Sequence, residues 1–169
     1  LRITGHNHGN VYLLCTDWVA EFDLTTQRFK TLLQGNVDAI YFNEKLYIGK
    51  REEVFVYNES TGNFDLYYHL AGKDITLSCL QLDEKKNLWT GTTSNGLYCL
   101  SGDKKISQPV TRGNIASIYE DSSKELWICT WEEGLYRIKT DSTIENFRHD
   151  PKNPNSICAD FVRSCCEDN

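Results

Sequence analysis

The sequence has 169 residues, of which 40% are hydrophobic, 12% aromatic and 25% charged, and its formal net charge is −6. So much apolar and aromatic mass argues for a sizeable core and against a disordered chain, while the acidic balance argues against a nucleic-acid partner or an anionic membrane surface, both of which need basic patches. The longest apolar runs are a few residues, too short to span a bilayer. The chain starts at Leu1 rather than at Met and shows no signal peptide, so it is expected to be a segment of something longer.

Taken in chain order, the sequence repeats. In 1–36, Leu13-Leu14-Cys15-Thr16 leads to Val19-Ala20-Glu21-Phe22. In 37–74, Leu46-Tyr47-Ile48-Gly49-Lys50 leads to Val54-Phe55-Val56-Tyr57. The copies sharpen in 75–114, where Asp83 precedes Leu88-Trp89-Thr90-Gly91-Thr92 and Gly96-Leu97-Tyr98-Cys99-Leu100 follows. They recur in 115–157 as Asp121, Leu126-Trp127-Ile128-Cys129-Thr130 and Gly134-Leu135-Tyr136-Arg137-Ile138. In 158–169, Val162-Arg163-Ser164-Cys165-Cys166-Glu167-Asp168 matches Ile115-Ala116-Ser117-Ile118-Tyr119-Glu120-Asp121 position by position.

Aligning Cys15, Gly49, Gly91 and Cys129 gives a period of about 40 residues, the length of a propeller blade. Each unit reads as four short β-branched and aromatic-rich strands separated by Asp, Ser, Asn and Gly turns, the shorter fourth ending on an aromatic such as Phe29, Phe64 or Phe147. No amphipathic helical pattern of useful length occurs, which excludes helical and leucine-rich solenoids. The expected fold is all-β: β-propeller blades, four four-stranded antiparallel sheets plus the first strand of a fifth, from a larger propeller. The repeated Trp or Tyr should fill the space between sheets, and the repeated Gly or Cys should allow close backbone approach.

The seven cysteines show no C-x-x-C spacing, and most lie in apolar alternating stretches. They are expected to behave as small hydrophobes, without disulfides and without a metal. Cys165 and Cys166, adjacent on an expected strand, should point to opposite faces.

These units resemble the two-component-regulator propeller repeats of hybrid two-component sensors. The residues that carry the resemblance are Ser117-Ile118-Tyr119-Glu120-Asp121, Leu126-Trp127-Ile128-Cys129-Thr130, Gly134-Leu135-Tyr136-Arg137-Ile138 and the connector Phe147-Arg148-His149-Asp150-Pro151-Lys152-Asn153-Pro154-Asn155-Ser156. It is tight over 75–169 and loose over 1–74. Cys129 stands where the family has Gly, and the first two units lack the Leu-Trp pair. The resemblance implies a periplasmic sensor region of a hybrid two-component histidine kinase that responds to glycan-derived oligosaccharides. Its partners would be the remaining blades and domains of that parent, with no cofactor and no nucleic acid for this segment.

The histidines His6, His8, His69 and His149 do not form a metal-spaced cluster, and no metal ligands are expected. Asp83 and Asp121 recur once per unit, which marks them as turn formers rather than as a reactive group. The loops between second and third strands carry the ligand-binding candidates Trp18, Arg51, Asn95, Trp131 and Glu132; the two Trp rings either stack on sugars or pack on the adjoining blade. No catalytic residue is expected. The alternative function is a fragment of a propeller-type carbohydrate-active enzyme, a lyase or hydrolase. Exposed edge strands would invite self-association.

Overall fold

The computed structural model describes residues 2–7, 9–15, 17–71, 74–101, 104–105 and 110–168. Among them there is no helix, and so none long and apolar enough to cross a membrane. The chain divides into two compact units, Leu1–Leu77 and Ser78–Asn169, each built around two consecutive four-stranded antiparallel sheets.

In the first unit, β1 (Arg2–Asn7), β2 (Asn10–Leu14), β3 (Trp18–Asp23) and β4 (Arg28–Gln34) form one sheet, and β5 (Ala39–Asn43), β6 (Lys45–Lys50), β7 (Glu53–Asn58) and β8 (Asn63–His69) the next. In the second, β9 (Leu77–Leu82), β10 (Leu88–Thr92), β11 (Leu97–Ser101) and β12 (Lys104–Lys105) are followed by β13 (Ile115–Glu120), β14 (Leu126–Thr130), β15 (Leu135–Ile138) and β16 (Ile144–Phe147). Every strand pairs with its chain neighbour, so each sheet is a meander and the whole is four blades of propeller type.

The register corrects one detail of the repeat. The first apolar residue of each third strand pairs with the last inward residue of the second: Val54 with Gly49, Leu97 with Gly91 and Leu135 with Cys129. In the first blade the same pair is Val19 with Leu14, so the repeat anchor is Leu14, not Cys15. A slip of one residue turns a side chain to the other face of a sheet. Accordingly Tyr12 and Leu14 are buried with Ile40, Leu46 and Ile48, while Cys15 lies beyond the strand, where its N–H donates to the Trp18 carbonyl.

The close approach expected at the repeated glycine is present. A Cβ on Gly91 would lie 2.6 Å from the Cys79 sulfur and 2.6 Å from Ile115, and one on Gly49 would lie 2.9 Å from Leu77. Trp89 packs beneath Ile118, Leu126 and Ile128 of the following sheet, and Tyr12 stacks on Phe42 at 4.9 Å. Burying each such aliphatic side chain contributes about 1.5–3 kcal/mol.

Two expectations about strands differ from what is seen. The outer strands β4 and β8 carry Phe29 and Phe64 as their second residue rather than their last, because each packs on an aromatic across its hairpin, Phe22 at 4.5 Å and Tyr57 at 5.1 Å. The hairpin turns are closed by Asp23 and Asn58, which accept backbone N–H groups two and three residues on. The segment 158–169, expected as the first strand of a fifth blade, forms no ladder over its described residues 158–168. A first strand pairs only with the second strand of its own blade, as β13 does with β14.

Candidate functional site

Two loops at one end of the second unit are built by the same device. The buried Thr92 hydroxyl donates to the Gly96 carbonyl at 2.8 Å and accepts the Asn95 N–H at 2.8 Å. Thr130 does the same with the Gly134 carbonyl at 2.7 Å and the Glu133 N–H at 2.9 Å. Gly96 and Gly134 close the loops with φ of 77° and 78°, in the left-handed region that favours glycine. The three residues inside each loop, 93–95 and 131–133, are thereby held outward at the ends of adjacent sheets.

Trp131 occupies the first position of the second loop, and its N–H donates to the Asn114 carbonyl at 3.1 Å. Its ring is 41% exposed and meets Phe161, itself 50% exposed, edge-on at 4.7 Å. Around this aromatic pair the connector is fastened by charge. Arg148 donates to the Asp160 carboxylate at 2.9 Å and to the Glu132 carbonyl at 3.1 Å, and the His149 N–H donates to the other Asp160 oxygen at 2.7 Å. The Arg148 guanidinium, with the His149 N–H, holds the Asp160 carboxyl below the usual carboxylate range. Glu133 accepts from the Tyr136 hydroxyl at 3.1 Å and from Thr111. Burial, and then the bond to Glu133, raises the Tyr136 pKa.

The site residues read from the sequence separate into two groups. Trp131, Glu132 and Asn95 belong to the two matched loops of the second unit, with Asn95 accepting from the Ser94 hydroxyl at 2.9 Å. Trp18 and Arg51 belong to the first unit. Trp18 opens β3 opposite Gln34, at the ladder position next to Val19, which makes it the counterpart of Gly134 rather than of Trp131. It is half-buried in an open depression of about 780 Å³, with Ala20, Phe29 and Thr31. Arg51, at φ 52°, donates its backbone N–H to Asp38 at 2.6 Å and accepts from the Leu77 N–H at 3.0 Å.

Phe161 and the Arg148–Asp160 pair were not among the sequence candidates. The pair could have been suspected from the charged connector, but the ring contact could not, since 30 positions separate Trp131 from Phe161. His149 braces the connector, its Nδ1 lying 2.9 Å from the Ile157 carbonyl. The His6–His8 pair lies outside the residues whose side chains are described. Among the described residues, no three His, Cys, Asp or Glu converge to hold a metal.

The repeated acids are knots within their own turns. Asp83 accepts the Trp89 indole N–H, the Asn87 backbone N–H and the Asn87 amide, each at 2.8 Å. Asp121 accepts the Trp127 indole N–H at 2.8 Å and the Glu125 N–H at 2.9 Å.

Residues 110–132, which include Thr111, Asn114 and Trp131, match the family model of the two component regulator propeller. No curated protein matches the sequence. In structure the chain is similar to the extracellular domain assigned to the hybrid two component system BT4673 of B. thetaiotaomicron, at 18% identity and a TM-score of 0.76, covering 94% of this chain and 23% of that one. The corresponding domain of BT3049 from the same organism gives 20% identity and 0.76, covering 95% and 23%. Virginiamycin B lyase from Staphylococcus aureus gives 13% identity and 0.72, covering 88% and 55%. The chain thus spans about a quarter of the sensor domains it matches, and at these identities the likeness is one of fold.

Proposed function

We propose that this chain is part of the extracytoplasmic sensor region of a hybrid two-component histidine kinase, and that the loop end of its second unit contacts an oligosaccharide released by glycan breakdown. The observation that carries the reading is the exposed Trp131–Phe161 pair, partly within the segment that matches the regulator-propeller model. Aromatic rings that keep one face open and are ringed by hydrogen-bonding groups suit sugar rings, whose C–H faces stack while their hydroxyls bond. The neighbouring Glu132 carboxylate and the Asn95 amide supply such groups. The periplasmic location and the glycan class rest on the resemblance of the repeats.

In this reading the segment turns nothing over. Its two best-placed carboxylates, Asp160 and Glu133, are committed to Arg148 and to Tyr136 and Thr111. Sensing needs only that a ligand bind one state of the receptor better than the other. Titration calorimetry of the full sensor against a panel of glycan oligosaccharides tests the proposal. Trp131→Ala should weaken binding by about 1 kcal/mol or more, the scale of an aromatic contact. Unchanged affinity in a variant with a matching unfolding midpoint would place the ligand elsewhere, and turnover of a glycan by this chain would favour the enzyme reading, for which the likeness to a lyase fold is the supporting observation.

A further inference from the structure

The Cys129 side chain is fully buried where the second and third blades have Gly49 and Gly91 and the first has Leu14. Beside it runs the segment 162–167. The Val162 N–H donates to the Thr130 carbonyl at 2.9 Å, and the Glu167 carboxylate accepts from the Ser122 N–H and hydroxyl at 2.8 and 2.6 Å. These anchors at the two ends of β13 and β14 set the segment parallel to β13, as a following blade's first strand would be. Cys165, midway between them, lines a cleft with Leu135, the ladder partner of Cys129, and with Trp127, two residues before Cys129 on the same face of β14. Its thiol is the hydrogen-bond partner that lowers the Cys129 pKa. Cys165 is half-buried, and the cleft, which the exposed Cys166 also lines, is about 280 Å³.

We infer that Cys129 and Cys165 form a disulfide under oxidising conditions, a redox-sensitive latch between one blade and the first segment of the next. This departs from the expectation that every thiol here is only a small hydrophobe, and it does not depend on what the sensor binds.

The chemistry is two thiol–disulfide exchanges with a small-molecule disulfide such as glutathione disulfide. Cys165, reached from the cleft, loses its proton to solvent and attacks, forming a mixed disulfide and expelling one thiol. The Cys129 thiolate then attacks the Cys165 sulfur and expels the second thiol. Two protein thiols are oxidised, and one disulfide is reduced to two thiols. The Cys165 S–H donating to the Cys129 sulfur pulls the Cys129 thiol down to about 7 against the effect of burial, and pushes Cys165 up. That bond exists only in the reduced pair; once Cys165 is in the mixed disulfide its S–H is gone, and the Cys129 thiol gives its proton to solvent before it attacks.

The test equilibrates the folded 169-residue chain with reduced glutathione or with excess glutathione disulfide, then unfolds it in denaturant containing iodoacetamide so that buried free thiols are blocked as well. Trypsin digestion without reductant separates Cys129, in peptide 125–137, from Cys158, in 153–163, and from Cys165 and Cys166, in 164–169. The expected product of the oxidised sample is 125–137 joined to 164–169, two hydrogens lighter than their sum and absent after reduction. Cys166→Ser should keep this product and Cys165→Ser should abolish it. Recovery of alkylated Cys129 from oxidised chain with an unchanged unfolding midpoint would overturn the inference. So would survival of the link in Cys165→Ser, which would assign it to Cys166.

Discussion

At the scale of single residues, the acids repeated in the two blades of the second unit, Asp83 and Asp121, do structural work that their spacing already suggested. Asp83 is 8% exposed and accepts three hydrogen bonds, one from the indole that fills the space to the next sheet. Asp83→Ala would leave the Trp89 N–H and the Asn87 N–H without their acceptor. Bonds to a charged group contribute about 1.5–3 kcal/mol each and do not add fully, so a loss of about 2–3 kcal/mol is expected in urea unfolding. Asp121 extends the point to pH. Burial works against its charge, but the bonds from Trp127 and Glu125 outweigh that and hold its pKa below the ordinary 3.8. The charged form is the one the folded state favours, so its contribution is full above about pH 4 and falls away as pH drops through the lowered folded value. The gap in stability between the natural chain and Asp121→Asn should therefore narrow as unfolding is followed downward from pH 4.

At the scale of elements, the blades are held by what a sheet can bring close. Gly91 lets β10 approach the start of β13, where a methyl group would overlap Cys79 and Ile115. Gly91→Ala should cost about 1–3 kcal/mol, the usual range for overpacking, read as a lower denaturation midpoint at an unchanged slope. The hairpins show the same dependence on pairing. Asp23 and Asn58 fix turns in which Gln27 and Gly62 take positive φ, and those turns set Phe22 against Phe29 and Tyr57 against Phe64.

At the scale of the whole molecule, the apolar outer strands matter most. Phe29 is 65% exposed in β4, and Leu66 and Tyr67 are 57% and 44% exposed in β8. Outer strands of this kind are pairing edges, and their apolar side chains favour a second copy. The isolated chain should associate with rising concentration in sedimentation velocity, weakly affected by salt because the contact is apolar rather than ionic. Replacing Phe29 and Leu66 together by Ser should return it to monomer. Sedimentation of the natural chain as a monomer at every concentration would remove this expectation.

The sequence by itself determined the architecture. Strand length, a period near 40 residues and Asp-led turns are local or recurrent properties, and a meander of neighbouring strands needs little else. It also pointed to Asp83 and Asp121 as turn formers, because a group that recurs in the same turn of successive blades is not a unique reactive one. The register of the first blade was not legible, since Leu14 and Cys15 are both apolar and only ladder pairing with Val19 shows which points inward. Nor could the sequence separate Trp18 from Trp131: each follows a second strand, yet one opens a strand while the other stands in a loop tied by Thr130 and Gly134. The contacts of Trp131 with Phe161, of Arg148 with Asp160 and of Cys129 with Cys165 belonged wholly to the tertiary structure. They join residues that only the return of the connector along the sheet brings together, and no local pattern encodes that meeting.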